Sequence, residues 1–294
     1  MTEKSIALGT FDGSHRGHTA VTELARQSAY PAFVLLFSQH PLSFIKGKAP
    51  AELITDSIRS KLIEKLQITP IVTDFKKICD LSPEDFFENI LIKELNAKEL
   101  SCGKNYTFGR GGKGDISTLK RLCAENEIRL NIADTVTYQK EAVSSTRIRK
   151  ALENGEIEDA NKMLGRAFSY DFTVIHGDAR GRTLGFPTLN QIIPDGFVNL
   201  RYGVYASAVC LNGKFYPSVT NFGIRPTIGT DIVYSETNIR GFSGDLYGEN
   251  VEVFILSYMR PEKRFSSLTE LSLAISADSQ HSYEIFQEHL ALLR

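Results

Sequence analysis

Two histidines lie three positions apart in the segment GTFDGSHRGH, which runs from Gly9 to His18. This segment follows a short apolar stretch and is rich in small residues, so it predicts a turn from a strand into a helix. Helical residues three apart share one side of the helix. His15 and His18 can therefore direct two N–H donors at one phosphate group, and Gly17 leaves room for a nucleotide to lie close.

A second cluster could hold the rest of a polyphosphate. The segment SSTRIRKAL begins at Ser144 and puts hydroxyl groups at a predicted helix N-terminus, with Arg147 and Arg149 following. Hydroxyls and guanidinium groups at a helix start suit the β- and γ-phosphates of a nucleotide. Taken separately, each motif also fits a plain structural interpretation, as surface histidines near a helix start or as an N-cap followed by a solvated basic face.

A third segment, HGDARGRTLGFPTLN, combines three glycines with Arg180 and Arg182 and predicts a pliable, positively charged loop over polyphosphate. It lacks the GK[ST] ending of a Walker A loop. Thr188 and Asn190 follow two residues apart, so on a strand their oxygens point to one face. Together with nucleotide phosphates they could complete the shell of a Mg²⁺ ion, which takes few protein ligands.

The pattern up to about Gly165 predicts the elements that must position the first two clusters. Short apolar runs (SIALG, AFVLLF, PIVT, ELSCG, RLNIAD) alternate with amphipathic helical segments (HTAVTELARQ, SIRSKLIEKL, SPEDFFENILIKEL, STLKRLCAEN). Ser82 before Pro83 marks a helix start. This alternation predicts a Rossmann-like α/β domain, a parallel sheet with helices on both faces and ligands beyond the carboxyl ends of its strands.

After Gly165 the apolar period changes to two. GVYASAVCL and KFYPSVTNFG flank Asn212-Gly213, a pair that favours a type I′ hairpin turn, and NVEVFILSYMR alternates in the same way. These segments predict a small antiparallel β-barrel closed by a terminal helix from about Ser267. ALENGEIEDANKMLG is predicted to form the helical connection between the halves.

Composition sets the broad class. The chain has 294 residues, 42% of them apolar, which is enough for two domains. A formal net charge of -1 argues against nucleic acid as a partner. Its 4 cysteines form no CxxC pair, so neither a structural zinc site nor a disulfide framework is expected. With no apolar run long enough for a signal peptide or a membrane span, the sequence predicts a cytoplasmic protein.

The motifs together resemble one family over nearly the whole chain. GTFDGSHRGH, FSQHP, CGKNYTFGRGGKGD and VSSTRIRKAL, followed by GRTLGFPTLN, GVYAS, NFGIRPTIG, SETNI, GDLYG and MRPEKRF, stand in the order seen in bacterial bifunctional riboflavin kinase/FMN adenylyltransferases. The resemblance implies an HxGH nucleotidyltransferase domain over residues 1–165 and a riboflavin kinase-like barrel over residues 166–294. It also implies phosphorylation of riboflavin to FMN with ATP, then adenylylation of FMN to FAD, both with Mg²⁺.

The same resemblance implies roles for individual residues, of which His15, His18 and Glu236 would be catalytic. In the first domain, the residues that would bind ATP are Gly9, Phe11, His15, His18, Ser145, Thr146 and Arg149. On its flavin side are His40, Asn105 and Arg110. In the second domain, ATP is held by Gly181, Arg182, Thr188 and Asn190, the last two also binding the metal. Glu236 would accept the proton of the riboflavin 5′-hydroxyl.

The chain departs from the family pattern at a few positions. Gln39 stands where proline is common, Asn105 where aspartate is frequent, and Asn238 where histidine is common, while Arg240-Gly241 replace an apolar–acidic pair. Two other functions stay open on sequence grounds: a transferase with one working half, and a flavin-binding carrier or regulator without turnover. A monomer or weak homo-oligomer that binds riboflavin, FMN, FAD and ATP is expected.

Overall fold

A computed structural model describes residues 2–176, 188–226 and 231–293. By packing, the chain separates into two compact units, the first formed by Met1–Pro50 with Arg59–Ser144 and the second by Ala51–Ile58 with Ser145–Arg294. The units are described separately. A functional division between residues 165 and 166 stays a prediction.

The first unit contains the predicted parallel sheet. Its strands run in the order β3-β2-β1-β4-β5, and all neighbouring pairs are parallel. They are β1 (Lys4–Ala7), β2 (Ala32–Phe37), β3 (Thr69–Thr73), β4 (Ala97–Gly103) and β5 (Arg129–Ala133). All five coincide with the predicted apolar runs, so the Rossmann-like α/β fold is confirmed.

Helices and short turns connect these strands. They are α1 (Arg16–Arg26), α2 (Pro41–Lys46), α3 (Asp56–Lys65), α4 (Pro83–Asp85) and α5 (Ile116–Glu125), with 3₁₀ turns at Phe75–Lys77 and Arg110–Gly112 and a ribbon of β6 (Thr137–Tyr138) and β7 (Glu141–Ala142). The predicted cap is present, since the Ser82 hydroxyl accepts from the Asp85 N–H at 3.0 Å. Beyond α4 the chain continues as a π-helix over Phe86–Glu94, which the α-helical pattern did not predict.

Apolar side chains cover both faces of the sheet because the strands alternate. On β1, Ile6 joins a core with the π-helix and α5, whereas Ala7 joins a core with α1. On β2, Leu35 points to the first core while Val34 and Leu36 point to the second. A sheet buried on both sides fixes the strand register, which in turn fixes where the loops at its carboxyl edge begin.

The second unit is built on the predicted barrel. Six strands close in the order β10-β11-β12-β9-β8-β13, with antiparallel pairing throughout. Its elements are α6 (Ser145–Asn154), α7 (Ile157–Leu164), β8 (Phe168–Ile175), β9 (Thr188–Ile192), β10 (Gly203–Leu211), β11 (Lys214–Pro226), β12 (Asp231–Ile239), β13 (Asn250–Arg260), α8 (Leu268–Glu288) and a 3₁₀ turn at Leu290–Leu293. Asn212 and Gly213 have φ values of 50° and 75°, as the predicted turn requires, and Ser267 caps α8.

The barrel interior is packed with large rings and a short chain of hydroxyls. Tyr170, Tyr205 and Phe222 are fully buried. Thr220 Oγ1 lies 2.8 Å from both Ser207 Oγ and Thr237 Oγ1, so these buried polar groups satisfy one another. Because the interior is filled, side chains that handle substrates must lie on the outer face or at the ends of the barrel.

One segment of the second unit comes from early in the chain, which the sequence did not predict. The Glu52 N–H donates to Gly196 O at 2.7 Å, and Val198 N–H donates to Glu52 O at 2.9 Å. The Thr55 hydroxyl donates to the buried carboxylate of Asp171. Residues 51–58 therefore belong to the fold of the second unit although they lie between β2 and β3.

Asn161 joins α7 to the barrel. Its side chain is fully buried, accepts from the Phe168 N–H at 2.7 Å and donates to Ile255 O at 3.0 Å. These two bonds satisfy buried backbone groups of β8 and β13. If the Asn161 side chain were removed, both groups would be left without a hydrogen-bond partner.

We expect Asn161→Ala to lower the free energy of unfolding of the second unit by about 2–4 kcal/mol, because it leaves two buried backbone groups unpaired. The measurement is the urea midpoint of the full chain. The control is Asn154→Ala, an exposed asparagine bonded to Glu156, with an expected change within about 0.5 kcal/mol. Equal midpoints for the two variants would contradict this role of Asn161.

Candidate functional site

Three of the segments predicted to carry site residues meet at the carboxyl edge of the parallel sheet. The HxGH loop follows β1, His40 follows β2 and Asn105 follows β4, and these three strands are adjacent. The strand order reverses beside β1, since the chain builds β2 and β3 on one side and then places β4 on the other. Such a reversal opens a crevice at the carboxyl ends of the strands, where α/β folds bind ligands.

The loop between β1 and α1 has an unusual backbone. Phe11 and Ser14 have φ values of 49° and 44°, and Gly13 between them has 79°. Left-handed conformations cost energy in residues other than glycine and cluster at functional sites. Here they turn the chain tightly enough to present His15 at the start of α1.

His15 is the N-cap of α1. Its Nδ1 accepts from the His18 backbone N–H at 3.4 Å, which assigns the ring proton of a neutral His15 to Nε2. A Cβ atom on Gly17 would lie 3.1 Å from His15 Cε1, so glycine leaves room for this ring. The space beside Gly17, where we expected a nucleotide to lie close, is taken by the His15 imidazole.

The two imidazoles of the motif stack on each other. Their centroids are 3.7 Å apart with an angle of 15° between the planes, and the Phe11 ring lies 5.3 Å from His18. Among the described residues, nothing hydrogen-bonds the buried Nδ1 of His18. Burial, reinforced by the neighbouring His15, holds the pKa of His18 well below its ordinary value of 6.5. His18 is therefore neutral at physiological pH.

His40 is linked to the same loop through Asp12, a residue that the sequence analysis missed. His40 caps α2, its Nδ1 accepting from the Leu42 N–H at 3.2 Å, and its Nε2 lies 3.9 Å from Asp12 Oδ2. Asp12 is only 8% exposed. Its position next to Gly13 in the glycine-rich loop, three residues before His15, was the available signal.

A cleft lies beside the histidine pair within the first unit. Its polar lining residues are Ser14, His18, Thr19, Thr22 and Arg59. Its apolar lining includes residues from β2, α3 and the loop to β3: Val34, Leu36, Ile63, Leu66 and Ile68.

Two residues expected on the flavin side are exposed. Asn105 lies just after β4, and its Oδ1 would be 3.2 Å from a Cβ atom on Gly103. Arg110 follows in a turn, where its backbone N–H donates to Leu81 O at 2.7 Å and its side chain is exposed. Asn105 thus shares the sheet edge with His40, and Arg110 lies farther along the loop.

The SSTxxR residues form the start of α6 in the second unit. Ser145 is its first residue, Thr146 is exposed, and Arg149 is half-buried with its Nε donating to Ala51 O. The predicted helix start is thus confirmed. It leaves the two hydroxyls at the positive end of the helix dipole.

The outer face of the barrel carries the third predicted cluster. Thr188 and Asn190 both lie on β9, so they point to one face as expected. Asn190 pairs in register with Glu236 of β12, and both Thr188 and Glu236 are half-buried. Asn190 Oδ1 is buried, and no described residue hydrogen-bonds it. The predicted nucleotide residues Gly181 and Arg182 lie outside the described residues.

Comparison with known proteins assigns these two units to one family. A family model for FAD synthetase matches residues 1–147, and a model for riboflavin kinase matches residues 164–286. Bifunctional riboflavin kinase/FMN adenylyltransferases of Listeria monocytogenes and Escherichia coli K12 are 33% and 34% identical, each over 96% of this chain and 92% of the relative. The chain belongs to this family.

A solved structure extends the likeness to the fold. A crystal structure described as a macrolide-efflux protein from Streptococcus pneumoniae is 30% identical and superposes with a TM-score of 0.88, covering 96% of this chain and 94% of that one. In the described part of the chain, no helix has the length and apolar character needed to cross a membrane.

Two of the departures from the riboflavin kinase/FMN adenylyltransferase pattern lie on β12 and just beyond it. Asn238 pairs with Thr188 on the face that carries Glu236. Arg240 donates to Ser279 O and Gln280 Oε1, each at 3.2 Å, and lies 4.6 Å from the centre of the Tyr283 ring. Arg240 thus ties the end of β12 to α8.

The stacked pair generates a prediction about His18. The pKa of His18 is lower in the folded chain than in the unfolded chain, so the unfolded chain binds this proton more readily. The free energy of unfolding therefore decreases as the pH falls below about 6.5, the ordinary pKa of histidine. The measurement is an NMR titration of the 6 histidines, in which the His18→Gln variant identifies the His18 signal. The His18 ring should stay neutral at pH 6. A midpoint at or above 6.5 would contradict the stacked, buried arrangement.

Proposed function

We propose that this chain makes both flavin nucleotides: it phosphorylates riboflavin to FMN with ATP and then adenylylates FMN to FAD with release of pyrophosphate. The two family models in one chain, and bifunctional relatives over 96% of its length, support this function. The observation that carries it is that each unit brings together residues proposed to handle phosphate: the stacked His15 and His18 in the first, and Asn190 opposite Glu236 in the second.

In the first half, a phosphate oxygen of FMN would attack the α-phosphorus of ATP as the bond to pyrophosphate breaks. Negative charge then grows on the α-phosphate oxygens. His15 and His18 would donate N–H groups to those oxygens, and their stack holds the donors in place before substrate arrives. No protein nucleophile is needed, because in-line transfer depends on positioning and charge stabilisation.

The other residues predicted to act in adenylylation would orient the two substrates. We propose that Gly9 and Phe11 contact ATP in the loop after β1, while the hydroxyls of Ser145 and Thr146, with the guanidinium of Arg149, bind its β- and γ-phosphates. The flavin side would be formed by His40, Asn105 and Arg110. The link between His40 and Asp12 supports this role for His40, because it connects the flavin side to the HxGH loop.

Thr188 and Asn190 fit a Mg²⁺ ion that accompanies ATP in the second half. Both offer neutral oxygens on one face of β9, and Asn190 Oδ1 is buried with no hydrogen-bond partner among the described residues. The described residues contain no group of three or more His, Cys, Asp or Glu that could hold a metal. The ion would take its other ligands from phosphate and water and would neutralise charge on the β- and γ-phosphates.

Glu236 would act as the base of the kinase reaction. It would accept the proton of the riboflavin 5′-hydroxyl as that oxygen bonds to the γ-phosphorus and the bond to ADP breaks. Its register with Asn190 supports this role, since cross-strand partners lie side by side on one face, with the carboxylate next to the phosphate-binding amide. Gly181 and Arg182 would complete the ATP site.

We also propose that the enzyme works in the cytoplasm as a monomer or weak homo-oligomer and binds no nucleic acid. The small net charge of -1 supports the last point, because nucleic-acid binding depends on excess positive charge.

A reciprocal pair of variants tests the assignment of the two activities. His15→Ala should lower the rate of FAD formation from supplied FMN by about 100- to 1,000-fold, since one preorganised donor contributes about 3 kcal/mol. FMN formation from riboflavin should be unchanged. Glu236→Gln should do the reverse, abolishing FMN formation while sparing adenylylation. Both rates are measured by chromatography of the flavins.

Each variant serves as the folding control of the other, because the spared activity reports an intact chain. Thr188→Ala, which removes a proposed metal ligand, should match Glu236→Gln in direction. Equal loss of both activities in either variant would contradict two independent sites.

A further inference from the structure

Three strands of the barrel place polar residues in one transverse row. Asn190 of β9 pairs with Glu236 of β12, and Glu236 pairs on its other side with Asn221 of β11. Residues in register on neighbouring strands point to the same face, with Cβ atoms about 4.5–5.5 Å apart. Asn221 is therefore an immediate neighbour of Glu236, on the side opposite Asn190.

The Asn221 side chain hydrogen-bonds to a second carboxylate. Asn221 Nδ2 donates to Glu262 Oε1 at 3.2 Å, and Glu262 lies in the segment that follows β13. Glu262 Oε1 would lie 2.5 Å from a Cβ atom on Gly223, so the missing side chain of Gly223 makes space for this carboxylate. A hydrogen bond and a matching gap thus hold the same group.

This arrangement puts a neutral amide between two carboxylates. With its Nδ2 committed to Glu262, the amide of Asn221 has a defined orientation toward the row that contains Glu236. Asn221 is the cross-strand neighbour of Glu236 on the side away from Asn190, so its side chain limits how the Glu236 carboxylate can turn toward β11. A base must lie within hydrogen-bond reach of the proton it accepts, so limiting its rotamers affects the chemical step.

We propose that Asn221, oriented by Glu262, is a positioning residue of the kinase reaction that keeps the Glu236 carboxylate beside the acceptor hydroxyl. The inference rests on the proposed function, since it assumes that Glu236 is the base. It gives a role to one residue of the NFGIRPTIG segment, Asn221, and one of the MRPEKRF segment, Glu262.

The test measures kcat and KM for FMN formation in Asn221→Ala, Asn221→Asp, Glu262→Ala and Glu262→Gln. We expect kcat to fall at least tenfold in the first three, with the KM values for riboflavin and ATP changing less than threefold. Glu262→Gln should stay within threefold of wild type, because a glutamine oxygen still accepts the bond from Asn221. Asn250→Ala is the matched control, an asparagine of β13 outside the row.

Adenylylation of supplied FMN by the same preparations reports whether each chain is folded. Gly223→Ala provides a second route, because its methyl group would displace Glu262, and it should reproduce Glu262→Ala. Wild-type kcat in Asn221→Ala and Glu262→Ala would overturn the proposal, as would a raised riboflavin KM with kcat unchanged. A wild-type chain that forms no FMN would instead contradict the proposed function itself.

Discussion

The stacking of His15 on His18 is the contact on which the first site depends. It requires the N-cap bond from His18 N–H to His15, the missing side chain of Gly17, and a loop with Phe11 and Ser14 in left-handed conformations. Two rings 3.7 Å apart cannot both carry a positive charge at low cost. His18 is therefore held as a neutral donor, and the phosphates of a nucleotide would supply compensating negative charge.

The second candidate site is assembled in a different way. Its groups are distant in sequence and become neighbours through the hydrogen-bond ladder of the barrel, which places Asn190, Glu236 and Asn221 in one row. The buried interior of Tyr170, Tyr205 and Phe222 keeps that ladder in register. In both units a well-packed sheet fixes the backbone, and the side chains proposed to act in the reaction lie at its edge or on its outer face.

Much of the fold follows from local sequence signals. The five parallel strands were visible as apolar runs, and Asn212-Gly213, Ser82 and Ser267 marked a turn and two helix starts, because each of these signals acts over a few residues. The packing of residues 51–58 in the second unit was not predictable, since it depends on partners such as Gly196 and Asp171 that are more than a hundred residues away.

The candidate sites show the same limit. His15, His18, Thr188 and Asn190 could be selected from residue type and spacing. The link from Asp12 to His40, and the row that continues through Asn221 to Glu262, depend on strand order and register, which spacing alone does not determine.

The most direct test of the central claim is a time course of the products formed from riboflavin, ATP and Mg²⁺, with a parallel reaction started from FMN. Two working sites predict FAD in both reactions, with FMN as a transient in the first. Accumulation of FMN without FAD in either reaction would contradict adenylylation by the first half. If neither flavin changes while both bind, the chain is a carrier without turnover, and the account is wrong.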